Sequence, residues 1–200
     1  MTLDRYRSVA DRLLGPWVSA ADRLGLSPDQ VSVIAFVVAA VAAAAFAVGE
    51  SIEYAAGALL VLFNGWLDLV DGALARRQEV ASDGGDFLDH VLDRYADVAI
   101  IAGLTVGVGT YALGFAAVTG VLLTSYLGTQ IQAVGIGREY GGLLGRADRL
   151  ALVGVVGAVA AVYPAPVVGG LGVVGLLLVL FAVVGHLTAA QRFLGAWSDL

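Results

Sequence analysis

Residues 55–106 read AAGALLVLFNGWLDLVDGALA, RRQEVASDGGD and FLDHVLDRYADVAIIAGLTV, two apolar runs joined by a polar link of about a dozen residues. Each run has the roughly 20 mostly apolar residues that a membrane helix needs. Both also carry carboxylates at the joined ends: Asp68 and Asp71 in the last turns of the first, and Asp89, Asp93 and Asp97 in the first three turns of the second. A helical hairpin across a bilayer places the two acidic ends at the same depth, just inside one leaflet, with Asp97 a turn deeper.

The rest of the chain repeats the apolar pattern. Its 200 residues are 59% hydrophobic and 14% charged, where a soluble domain has about 45–50% and 25%. Four more candidate spans occur at 31–48, 113–134, 150–162 and 167–186; the span at 150–162 reaches full length only if it starts near Arg146. All 11 basic residues are arginine, and 17 acids give a net charge of -6, which argues against a nucleic-acid partner. The lack of cysteine excludes disulfides and thiolate chemistry. Arginines mark the side of the membrane that retains positive charge. They precede the first span, follow the second, lie between the fourth and fifth, and follow the sixth, whereas the opposite loops carry only Glu50 and Glu53. The expected protein is therefore an all-α, multi-pass protein of the cell membrane, a single domain over 1–200. Residues 31–186 would form a bundle of six transmembrane helices, with both termini and the acidic ends cytoplasmic.

Ahead of the first span, Tyr6, Val9, Leu13, Trp17, Ala21 and Leu24 recur at helical steps. Residues 4–25 are expected to form an amphipathic helix lying in the interface. Ser27-Pro28 then has the form of an N-cap followed by proline at the first helical position.

Ionisable groups inside a span cost about 2.5 kcal/mol or more each near the bilayer centre. At about 100° per residue, Asp68 and Asp71 share one face and Asp89 and Asp93 another. Four carboxylates at close range repel unless cations compensate. Two hard divalent ions, Mg²⁺ or Mn²⁺, match four carboxylate ligands in charge and in donor type. Asp86 is read as opening the third span, and His90 as packed or interfacial; for Asp97, pairing with Arg94 or a polar neighbour is as plausible as a ligand role. Gly72, Ala75, Gly84 and Gly85 leave room for a phosphate-bearing ligand, and Arg76 is placed to hold its anionic oxygens.

The residues Asp68-x2-Asp71-Gly72-x2-Ala75-Arg76-x8-Gly85-x3-Asp89-x3-Asp93 resemble the signature of the CDP-alcohol phosphotransferase (CDP-alcohol phosphatidyltransferase) family, matching at all eight fixed positions. The resemblance implies a homodimeric six-helix enzyme of phospholipid biosynthesis. It would move a phosphatidyl-type or archaetidyl group from a CDP-linked lipid to a small polar alcohol, releasing CMP. By the same resemblance Asp68, Asp71 and Asp89 would be metal ligands, and Asp93 metal neighbour and catalytic base. Asp68, Asp71, Gly72, Ala75, Arg76 and Gly85 would hold the CDP diphosphate.

For the acceptor, Arg138, Arg146 and Arg149 suggest a polyol phosphate, although cytoplasmic retention explains them equally well. Gly145-Arg146-Ala147-Asp148-Arg149-Leu150 is similar to a segment of inositol-phosphate-using members. The fourth-span end, Tyr126 to Gln132, departs from their arginine-rich pattern and leaves glycerol phosphate or another small polar alcohol open. An ion or proton transporter is the competing class; it requires acids spaced along a path through the bilayer. A non-catalytic scaffold is a third class, for which the Gly103 and Gly107 pair is the only hint.

Overall fold

The computed structural model describes the backbone of residues 3–137 and 144–200, with side chains from residue 13 onward within them. The described residues form helices and no sheet. The helices are α1 (Leu3–Arg23), α2 (Pro28–Val48), α3 (Ser51–Gln78), α4 (Asp83–Val108), α5 (Tyr111–Ala133), α6 (Arg146–Val162) and α7 (Val173–Asp199). Large apolar side chains such as Ile52, Leu59, Phe115 and Leu187 are exposed around the bundle, as lipid contact requires. This is an all-α membrane protein.

Local chemistry sets the helix starts. Ser27 and Gln30 cap α2 reciprocally: Gln30 N–H donates to Ser27 Oγ at 3.2 Å and Ser27 N–H to Gln30 Oε1 at 2.9 Å. The start of α4 differs from expectation. Ser82 accepts from Gly85 N–H at 3.1 Å, so the helix begins at Asp83 rather than near residue 87 and the link from α3 shrinks to four residues, 79–82. The last helix also shifts, to Val173–Asp199. The apolar stretch 167–172 instead makes a tight turn, with Val167 N–H donating to Leu171 O at 2.8 Å and positive φ at Gly169 and Gly170.

Six transmembrane spans were expected; among the described helices four, α2, α3, α5 and α7, are by themselves long and apolar enough to cross a membrane. The reason lies in the site. Helix α4 spends its first half on Asp83, Asp86, Asp89, Asp93, Arg94 and Asp97, and α6 has 17 residues opened by Arg146, Asp148 and Arg149.

Packing places α2 against both α3 and α4, α6 against α3, and α5 against α7, with α4 also reaching α5 and α7. Helices α2 and α4 approach backbone to backbone: a Cβ on Gly103 would meet Ala43 Cα at 2.8 Å, and Gly107 lies against Phe46 O. The small-residue pair that hinted at a scaffold is thus consumed inside the chain. Helix α1 packs on α3 through Leu14, Val18 and Ala21. Leu13, Trp17 and Leu24, expected to share that apolar face, are exposed, although Trp17 still touches Phe63 and Trp66, with ring centroids 6.2 and 6.3 Å apart.

The two acidic helices do not approach each other closely by their backbones. Among the described residues no Cα of α3 comes within 8 Å of one of α4; α2 packs against both, and α3 and α4 meet only through side chains, apolar ones such as Tyr54 against Gly107 at one end and the carboxylates across a gap at the other.

Candidate functional site

Two cavities open from this gap. The first, of about 660 Å³, lies between α2, α3 and the start of α4. It is lined by Asp71, Gly72, Ala75, Arg76, Gly85 and Asp89, which are six of the eight signature positions. Pro28, Asp29 and Ser32 of α2 complete its wall. Ser32 is buried and donates its hydroxyl to Asp71 Oδ2 at 2.7 Å. Nothing in the signature pointed to Ser32; its signal was a lone hydroxyl, one turn past the Ser27-Pro28 cap, in an otherwise apolar helix.

The second cavity, of about 870 Å³, lies between α4, α5, α6 and α7. Its polar wall is Asp93, Arg94, Arg146, Arg149 and Arg192, with Thr129 and Gln132 from α5. Arg192 follows the last expected span and was read only as a topology marker; its Nη1 donates to Thr124 O at 2.5 Å. Arg138 lies outside the described residues.

Arginines bind the acidic groups on this side. The Arg146 guanidinium bridges the gap, pairing through Nη1 with Asp68 Oδ2 on α3 and through Nη2 with Asp93 Oδ1 on α4 at 2.8 Å. Arg149 Nη2 donates to Asp97 Oδ2 at 2.8 Å, and both residues are buried. Arg94 lies 3.9 Å from Asp97 and 3.6 Å from Asp93. Asp97 is therefore a structural partner of arginines, chiefly Arg149. His90, half-exposed, also borders the second cavity, with Nδ1 2.8 Å from Asp86 O.

The donor set suits a hard divalent cation in kind: Asp68, Asp71, Asp89 and Asp93 present carboxylate oxygens toward one gap, and Asp89 borders both the first cavity and a small one of about 170 Å³ lined by Asp68, Asp93 and Arg146. It is not gathered in advance. Among the described residues no group of three or more carboxylates or histidines is assembled for a metal; Arg146 pairs with Asp68 and Asp93, and Ser32 with Asp71. The residues fit such an ion provided that Arg146 yields its place.

Comparison with known proteins gives the family. The profile of the CDP-alcohol phosphatidyltransferase family matches residues 26–197. The chain belongs to that family. It is therefore a transferase that acts on CDP-linked alcohols in phospholipid biosynthesis. It is 33% identical over 199 residues to the archaetidylinositol phosphate synthase of Methanothermobacter thermautotrophicus, covering 99% of this chain and 95% of that one. It is 32% identical to the phosphatidylinositol phosphate synthase of Streptomyces avermitilis, over 75% of this chain and 64% of that one. Its fold is similar to that of Mycobacterium tuberculosis phosphatidylinositol phosphate synthase with CDP-DAG bound (TM-score 0.79, 26% identity, 93% of this chain and 94% of that one). The same mycobacterial enzyme in complex with manganese and citrate gives a TM-score of 0.79 at 25% identity, over 92% of this chain and 88% of that one.

Proposed function

We propose that this transferase moves a phosphatidyl-type or archaetidyl group from a CDP-linked lipid to a polyol phosphate, with inositol phosphate the acceptor favoured by the relatives' names. The observation that carries the reading is the position of Asp93. It lines the arginine-walled cavity and also the small acidic cavity shared with Asp89, which in turn borders the cavity of the signature residues.

In this reading the nucleotide occupies the first cavity. Gly72, Ala75 and Gly85 leave room for it, and Arg76 at the rim binds diphosphate oxygens. Asp68, Asp71, Asp89 and Asp93 would hold Mg²⁺ or Mn²⁺, two ions per site, whose chemistry is to neutralise charge on the transferring and leaving phosphates. The acceptor phosphate sits in the second cavity against Arg146 and Arg149, with Arg138 and Arg192 as further candidates. Its hydroxyl is thereby directed at the gap. Asp93 takes the hydroxyl proton as the oxygen attacks the lipid-side phosphorus and the bond to CMP breaks. A base in direct reach contributes about 10²–10⁴ in rate.

The membrane arrangement follows from the same residues. Helices α4 and α6 pack along α2 and α3, so we place them across the bilayer as well, giving six spans with the acidic ends cytoplasmic and α1 in the interface. Trp17 and Leu13, exposed on α1, would face lipid there, and the chain would act as a homodimer. The acids favour an enzyme over a transporter: they gather at one end of α3 and α4 and define no path across.

The test is release of labelled CMP from one CDP-lipid against a panel of acceptors, with and without Mg²⁺ or Mn²⁺. Inositol phosphate or glycerol phosphate should be used best. Equal turnover with unphosphorylated serine or choline would sink the polyol phosphate assignment, and undiminished turnover in chelator would sink the metal assignment.

A further inference from the structure

Arg146 occupies an unusual position for a cation. It is the first residue of α6, where the helix dipole disfavours positive charge and favours anions. The helix end does not depend on its side chain, since Gly145 N–H is satisfied by Asp148 Oδ2 at 2.9 Å. What holds the guanidinium is the pair of carboxylates across the gap, Asp68 and Asp93. The fit is incomplete: its Nε is buried without a hydrogen-bond partner, 3.8 Å from Asp97 Oδ1. Arg146 also lines both the small acidic cavity and the arginine-walled one, so its side chain stands at the boundary between them.

We propose that Arg146 is an internal counter-ion that occupies the carboxylate cluster until a divalent cation replaces it, and that the displaced guanidinium then completes the phosphate-binding wall of the second cavity. This rests on the metal and acceptor assignments above and adds an order to them. A divalent ion on Asp68 and Asp93 removes both partners of Arg146 and repels it. The place open to the side chain is the second cavity, where a phosphate at the α6 N-terminus would pair with it. Cation and acceptor then bind with positive coupling, and acceptor phosphate is bound poorly while the cluster lacks its ions. Because the linkage is reciprocal, acceptor must tighten the cation by the same factor.

The experiment is a Mn²⁺ titration of the purified full-length chain in detergent, without nucleotide, followed by the EPR signal of free Mn²⁺. Arg146→Gln should bind Mn²⁺ about tenfold more tightly than the wild type, and Arg146→Lys, which keeps the charge, should stay within about twofold of it. Equal or weaker binding by Arg146→Gln overturns the proposal. Absence of binding by wild type and variant alike overturns the metal assignment and this inference with it, whereas binding by Arg146→Gln alone supports both. A second arm needs no variant: calorimetry of inositol 1-phosphate on the wild-type chain should give at least about fivefold tighter binding with Mn²⁺ present. An unchanged affinity overturns the coupling even if Arg146→Gln fails to fold. If inositol 1-phosphate does not bind in either condition, the acceptor assignment and the release of Arg146 toward it are overturned; the Mn²⁺ arm still decides the counter-ion role.

Discussion

The carboxylate cluster has two halves built from the same residue type and set in different surroundings. On the α2 side, Asp71 receives a hydroxyl from Ser32, Asp89 borders an open cavity, and no arginine among the described residues forms an ion pair with either. On the α6 side, Asp68, Asp93 and Asp97 are met by Arg146, Arg149 and Arg94. The first half leaves its negative charge available to incoming cations, through which, on the proposed reading, it would bind the nucleotide. The second half supplies its own cations and can receive an anion directly. On the reading proposed above, one acidic cluster thereby serves two substrates that both carry phosphate, with Asp93, at the boundary, the group each of them meets.

Substitutions that separate the halves put this contrast at risk. The largest effect is expected at the boundary: Asp93→Asn should lower the CMP release rate by about 10²-fold or more, and full turnover in this variant would mean that Asp93 is not the base. Next comes Arg149→Ala, which strips a buried carboxylate of its chief partner and should cost about 3–5 kcal/mol of stability. Thermal unfolding would register that loss, and Asp97→Asn in the same chain should recover part of it. The surviving Arg149→Ala enzyme should show a raised KM for polyol phosphate and an unchanged KM for CDP-lipid; the reverse pattern would exchange the two cavities. Arg76→Ala should do the opposite, raising the KM for CDP-lipid about tenfold, the loss of one charge-assisted hydrogen bond of about 1.5 kcal/mol, and leaving the acceptor KM alone. The smallest change is Ser32→Ala. It removes one hydrogen bond to a carboxylate and should weaken Mn²⁺ binding or CDP-lipid use only a few-fold, consistent with about 1 kcal/mol.

Much of this arrangement was legible because the physics that fixes it is local. Ser27-Pro28 announced the start of α2, and the spacing of Asp68, Asp71, Asp89 and Asp93 announced two acidic faces. The failures arose where two local signals competed. Asp86 and Ser82 could each open α4, and the hydroxyl of Ser82 took the cap. Residues 167–172 are apolar enough for a helix, but Gly169 and Gly170 adopt positive φ and close a turn. Other features were beyond sequence spacing altogether. In a membrane protein lipid is as apolar as a protein core, so apolarity does not say which side of a helix packs inward; on α1 the packed residues proved to be Leu14, Val18 and Ala21. The Arg146 bridge joins residues 78 positions apart, and only the fold shows that a suspected acceptor arginine sits on a suspected metal ligand.

The separation of α3 from α4 also bears on how firmly the bundle holds together. Two neighbours in the chain whose backbones are kept apart by α2 share apolar contact toward one end, while at the acidic end the space between them is crossed by the Arg146 side chain. On the proposed reading, substrates and ions fill that acidic end. Occupancy should therefore raise the melting temperature with ligand concentration, as preferential binding to the folded state demands, and the chain should be least robust between turnovers, when that end is unfilled.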